Sequence, residues 1–148
     1  MSPAALPLVV DASVGIKVFL VEPFTDRAQA LFDRLSENPP AVLHVPGLFY
    51  IECASTLRKA VHRYGYPAGD ARKDLAALRR LSIRIHSSVE LAEDALALSL
   101  SRGITVYDAS YVALSDRLRL PLVTADERLV SDLAGTPHDV RFIGAFEP

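Results

Sequence analysis

In the stretch Pro7-Leu8-Val9-Val10-Asp11-Ala12-Ser13 a short apolar run stands behind a proline and in front of a polar turn. That order suits a buried strand that ends at a polar loop. The same grammar returns twice. Ala41-Val42-Leu43-His44-Val45 lies between Pro39-Pro40 and Pro46, and Leu122-Val123-Thr124 lies between Pro121 and Ala125-Asp126. Ile83-Arg84-Ile85-His86 and Val140-Arg141-Phe142-Ile143 bring the strand candidates to five. Helical periodicity fills the gaps between them. Ala28, Leu31, Phe32 and Leu35 recur at i, i+3, i+4 and i+7, as one face of an amphipathic helix does. Phe49, Cys53, Leu57, Ala60 and Tyr64 mark a longer helix that stops near Gly65 and Pro67. Further helices are expected over 70–81, over 89–102 with Gly103 in the position favoured after a helix end, over 108–118 and over 126–133. Strands that alternate with helices predict an α/β fold, a three-layer α/β/α sandwich whose central parallel sheet of about five strands is covered on both faces.

A length of 148 residues fits one domain, 1–148, and the chain has no repeat, low-complexity tract or linker to divide it. Half the residues are hydrophobic and 23% are charged, which excludes a disordered or fibrous chain. The single Cys53 excludes an intramolecular disulfide and a Cys-rich zinc site, and a reducing compartment is its simplest setting. Residues 1–11 lack a basic leader region, and no apolar run approaches the roughly 20 residues of a membrane helix. A soluble cytoplasmic protein without membrane contact is expected. The net charge of −2, taken alone, argues against a nucleic-acid partner.

Ligands of open parallel sheets bind at the carboxyl ends of the strands, so acids placed there are the first chemical candidates. Asp11 follows the first strand directly, and Asp126 follows Leu122-Val123-Thr124 by one residue. Glu52 falls in the first turns of the helix after the second strand, and Asp108 is expected to open a helix after Ile104-Thr105-Val106-Tyr107. Strand ends and helix starts share one rim in such a fold. Carboxylates gathered there raise one another's pKa unless a positive charge sits between them. Oxygen ligands with no His or Cys at suitable spacing point to Mg2+ or Mn2+ rather than zinc. Each acid also has a plainer role. Asp11, Asp108 and Asp126 suit helix N-caps, and Glu52 with Thr56, Lys59 and Arg63 forms a polar stripe that suits a solvated face.

Four segments in order, Val9-Val10-Asp11-Ala12-Ser13, Pro46-Gly47-Leu48-Phe49-Tyr50-Ile51-Glu52, Thr105-Val106-Tyr107-Asp108-Ala109-Ser110-Tyr111 and Thr124-Ala125-Asp126-Glu127-Arg128-Leu129, resemble the four motifs of PIN-domain ribonucleases. The nearest likeness is to the VapC-type toxins of bacterial and archaeal toxin–antitoxin pairs, and it spans nearly the whole chain. The resemblance implies metal-dependent endonucleolytic cleavage of RNA by a homodimer that a VapB-type antitoxin neutralises. It places the metal-site and catalytic acids on Asp11, Glu52, Asp108 and Asp126, with Asp126 as a ligand or a water-mediated orienter. Ser13 and Thr124 follow as supporting polar groups.

The charge distribution bears on such a substrate. Residues 58–84 hold eight basic side chains against Asp70 and Asp74, a balance of +6 that leaves −8 for the remainder. A basic segment beside an acidic rim suits a metal nuclease, and Lys59 and Arg63 are the candidate RNA-phosphate contacts. A solvated helix surface or the docking face of an acidic partner remains open for this segment. Cys53 lies on an apolar stripe and suits a core position. His44, His62, His86 and His138 have no metal-ligand spacing, Lys17 and Glu22 are near enough in sequence to line the site, and no glycine-rich phosphate loop occurs. Two other classes stay open: a PIN-like module that binds RNA or protein with little turnover, and a phosphoryl acceptor at Asp11, which the missing Asp-x-Asp pattern disfavours.

Overall fold

Successive strand residues point to opposite faces of a sheet, and Leu8, Val9 and Val10 are all fully buried, so both faces of β1 (Leu6–Val10) are covered. The structure is a computed structural model that describes residues 6–147. Residues 1–5 and 148 of the expected domain, and with them part of the 1–11 start, lie outside the described residues. β1 pairs in parallel with β2 (Ala41–Pro46) on one side and β4 (Leu122–Thr124) on the other. β3 (Arg84–His86) extends the sheet beyond β2 and β5 (Val140–Phe142) beyond β4, both in parallel. The order is β3-β2-β1-β4-β5.

Among the described residues seven helices join the strands: α1 (Ala12–Gly15), α2 (Thr25–Asp33), α3 (Leu48–Tyr64), α4 (Ala68–Arg80), α5 (Ser88–Arg102), α6 (Val106–Leu118) and α7 (Glu127–Asp132). α6 lies on β1 and β2 and packs along α5, α3 packs against α1 and α4, and α7 sits on β4 and β5. The result is the three-layer α/β/α arrangement. Gly65 (φ 69°) and Gly103 (φ 71°) end α3 and α5 in the left-handed conformation, which costs a residue without a Cβ little. Among the described residues no helix is long and apolar enough to cross a membrane.

Several boundaries differ from the sequence reading by one or two residues, as where α4 begins at Ala68 and β3 at Arg84, and three differences bear on the site or its surroundings. α6 begins at Val106, not Asp108, because the Thr105 side chain accepts from the Asp108 amide at 3.1 Å and caps the helix two residues earlier. Asp108 therefore sits inside the first turn. Leu35, expected at the end of a continuous helix, falls in a separate 3-10 turn over Arg34–Ser36. α1 and the 3-10 turn Ile16–Val18 behind it are too short to leave a periodic signal.

From β1 the chain steps outward through β2 to β3, then returns to β4 on the far side of β1 and continues to β5. The connections thus reverse direction between β1 and β4. A crevice opens outside the carboxyl ends of strands at such a switch point, which is where open α/β sheets bind ligands. Asp11 follows β1 and Asp126 follows β4, so the topology sets both on that crevice.

α3 reaches the crevice because α1 lets it come close. A Cβ on Gly15 would lie 2.6 Å from Cζ of Phe49, a ring with no exposed surface to yield into. Gly15→Ala is expected to destabilise the fold by about 1–3 kcal/mol through overpacking. Chemical denaturation measures this, with the unfolding midpoint falling and the m-value unchanged.

Candidate active site

The Asp11 carboxylate is built in from three sides. Ser13 Oγ donates to Oδ1 at 2.5 Å, Thr124 Oγ1 donates to Oδ2 at 2.5 Å, and the Val14 amide donates to Oδ1 at 3.3 Å as the N-cap bond of α1. Both hydroxyls are themselves anchored. Ser13 Oγ accepts from the Ala125 amide at 2.9 Å, and Thr124 Oγ1 accepts from the Asp126 amide at 3.1 Å. The end of β1 and the end of β4 are therefore stitched together across the switch point. Asp126 caps α7, its Oδ1 accepting from the Arg128 and Leu129 amides at 3.0 and 3.3 Å.

Glu52 arrives from α3, five residues into the helix, and its Oε1 accepts from the Tyr111 hydroxyl of α6 at 2.7 Å. Asp108 stands one turn before Tyr111 on α6. The body of α6 is locked in place, because every residue from Ala109 to Ser115 is buried. All four acids line one open cleft of about 260 Å³, together with Ser13, Thr56, Lys59 and Tyr111.

Burial and mutual repulsion show in their protonation. Burial pushes Asp11 from the ordinary 3.8 up to about 6, against the lowering by Ser13, Thr124 and Val14, and the charge of Asp108 adds to the rise. Burial raises Glu52 as well, opposed by the Tyr111 bond and reinforced by Asp108. Asp108 is raised by burial first and by Asp126 second. Burial and the adjoining Glu52 hold the Tyr111 phenol well above its usual range, so it stays a hydrogen-bond donor. None of the four acids forms an ion pair among the described residues.

An all-oxygen cleft in which Asp11, Glu52 and Asp108 are held above their ordinary pKa is an environment that a hard divalent cation relieves. Among the described residues no group of three or more His, Cys, Asp or Glu side chains is gathered as a ready metal cage. Mg2+ needs no such cage, since it keeps several waters and takes one or two carboxylates directly.

The polar stripe of α3 leads out of the cleft. Thr56 and Lys59 also line a neighbouring groove of about 640 Å³ that contains Arg63, Tyr64 and Tyr66. Of the eight basic residues in 58–84, Lys59 thus lines both the cleft and the groove, and Arg63 the groove alone. Arg58, Arg72, Lys73, Arg79, Arg80 and Arg84 stand on exposed faces of α3, α4 and β3. Glu22 lines the groove and not the acidic cleft, and pairs at 3.4 Å with the nearly buried Lys17. Cys53 is fully buried, and burial pushes its thiol up to about 12, so it is no nucleophile. His44 Nδ1 and His86 Nε2 lie 2.9 Å apart across β2 and β3, a pairing that a search by sequence spacing misses. Also missed is the tie between Tyr111 and Glu52, whose only trace in the sequence is the spacing of Asp108 and Tyr111 at i, i+3.

Comparison with known proteins gives the family and the fold. Residues 8–135 match the family model described as the PIN domain. Ribonuclease VapC3 of Pyrobaculum aerophilum is 33% identical over 126 residues, which cover 84% of this chain and 92% of that protein. The crystal structure of PAE2754 from Pyrobaculum aerophilum superposes with a TM-score of 0.68 at 24% identity, over 94% of this chain and 85% of that one. A toxin–antitoxin complex from Klebsiella pneumoniae contains a chain that superposes with a TM-score of 0.63 at 20% identity, over 95% of this chain and 99% of that one.

The raised Asp11 gives a signed prediction. A carboxyl whose pKa is higher folded than unfolded binds its proton more tightly in the folded state, so stability falls as pH climbs from about 4 to about 6 and stays lower above. The full difference is about 3 kcal/mol. In EDTA, Asp11→Asn should unfold at a higher temperature than the wild type at pH 7.5, with the advantage shrinking towards pH 4. Thermal unfolding across that pH range measures it.

Proposed function

The chain belongs to the PIN-domain family, alongside its VapC ribonucleases, and from that premise we propose an RNA endonuclease toxin that uses Mg2+ or Mn2+ held by Asp11, Glu52, Asp108 and Asp126. The observation that carries this reading is the convergence of four carboxylates, three of them raised in pKa, in one cleft beside Lys59. When bound, the divalent cation supplies a lowered pKa for attacking water and positive charge at the scissile phosphate. The protein's own groups do the positioning.

Asp11 is held rigid by Ser13 and Thr124, so its orientation is fixed before any ligand arrives. Glu52 and Asp108 face the cleft from α3 and α6. Asp126 has Oδ1 engaged with the α7 amides, which suits an orienting role through water. Lys59 and Arg63 continue from the cleft into the groove and take phosphates of the RNA backbone leading away from the cut. This places positive charge along the strand and negative charge only where the cation intervenes.

By the same family resemblance the partner is a VapB-type antitoxin, and the working unit is a homodimer in the cytoplasm, where its RNA substrate is found. Val89, Leu96 and Leu100 form one exposed apolar face of α5, with Val106 and Tyr107 exposed on the adjoining turn of α6, and this face supports self-association. Light scattering should report a dimer for the wild type and a monomer for Leu96→Glu with Leu100→Glu.

Incubation with total RNA tests the activity. Cleavage should require Mg2+ or Mn2+, stop in EDTA and fall to background in a folded Asp108→Asn variant. Equal cleavage by that variant contradicts the assignment, and RNA retention with no metal-dependent cleavage favours a binding module instead. Lys59→Ala and Arg63→Ala should weaken RNA binding and each lower the salt dependence of affinity by about 0.7 in log–log slope.

A further inference from the structure

Asp108 and Tyr111 are three residues apart on α6 and so lie on one face of the helix, where both line the acidic cleft. Tyr111 is among the largest side chains with essentially no exposure, so its ring belongs to the core. A buried phenol needs a hydrogen-bond partner for its hydroxyl. The partner here is Oε1 of Glu52, at 2.7 Å, on a different helix.

The acids of the cleft are not equally constrained. Asp11 is gripped by two hydroxyls and an amide, and Asp126 by two amides of α7. Asp108 has a short side chain on the first turn of a buried helix. Glu52 has the longest side chain, is only half-buried, and among the described residues its carboxylate is held by Tyr111 alone. That bond engages Oε1, while Glu52 itself lines the cleft.

We propose that Tyr111 is a positioning residue that fixes the Glu52 carboxylate in the orientation needed to take part in binding the divalent cation, so that α6 contributes both an acid, Asp108, and the clamp on a second acid from α3. The proposal rests on the metal-nuclease reading of the cleft. Tyr111 does not itself touch the ion. Its hydroxyl removes the rotational freedom that Glu52 would otherwise lose on binding, which is how groups behind a metal ligand raise affinity.

Calorimetric titration of the full chain with Mn2+ tests this without any RNA. Tyr111→Phe retains the core ring, and an unchanged circular dichroism spectrum and sharp unfolding transition verify its fold. It is expected to bind Mn2+ about tenfold more weakly than the wild type. In a Glu52→Gln background the same change should cost nothing further, because the clamped carboxylate is already gone. A purely structural tether predicts a lower unfolding temperature with Mn2+ affinity unchanged, and that result overturns the proposal. So does an equal loss of affinity in the wild-type and Glu52→Gln backgrounds. If the wild-type chain binds no Mn2+, or Asp108→Asn binds it as well as the wild type does, the metal reading itself falls and takes the proposal with it, an outcome distinct from failure at Tyr111 alone.

Discussion

The carboxylate of Asp11 is the point on which the site depends. A charged group taken out of water is tolerated only when its oxygens are satisfied, and Ser13, Thr124 and the Val14 amide do that. Those donors belong to the segments that follow β1 and end β4, so satisfying one buried acid also sets how the two central strands meet. The Ser13 and Thr124 hydroxyls then accept from the Ala125 and Asp126 amides, which hold the turn carrying Asp126. One buried charge thereby orders the crevice at which the sheet reverses direction.

The same arrangement explains why the cleft is suited to a cation. Desolvation and mutual repulsion raise Asp11, Glu52 and Asp108, which means the folded chain holds charge at a free-energy cost. Lys59 is the cation at the cleft wall, and no ion pair among the described residues neutralises the four acids. A site that sacrifices stability in this way is characteristic of function. The close contact of α1 and α3 at Gly15 and Phe49 and the buried body of α6 keep the acids from moving apart to relieve the repulsion.

Much of this was legible in the residues. Proline-flanked apolar runs located β1, β2 and β4, because strands covered on both faces are continuously apolar, while β3 and β5 were read from the alternating Ile83-Arg84-Ile85-His86 and Val140-Arg141-Phe142-Ile143, and the acids following β1 and β4 marked the rim. The start of α6 was misplaced because Val106 and Tyr107 look like a strand, while the capping signature Thr105-x-x-Asp108 decided the boundary. α1 left no periodic trace, since four residues cannot show a helical period, and only the N-cap reading of Asp11 pointed to it. The segment from 58 to 84 read correctly as basic, but net charge does not say which side chains face the cleft. Among the described basic residues of that segment Lys59 lines the cleft and Arg63 the adjoining groove, because they continue the α3 stripe of Glu52 and Thr56. The bond from Tyr111 to Glu52 joins residues 59 apart in sequence, and only tertiary packing brings them together.

The central claim is that these four carboxylates form a divalent-cation site. An anomalous difference map from a crystal soaked in Mn2+ tests it most directly. The account predicts a single strong peak, or a close pair, in the cleft bounded by Asp11, Glu52 and Asp108. A map with the cleft empty of anomalous signal at saturating Mn2+, in crystals that leave the cleft open to solvent, would contradict it.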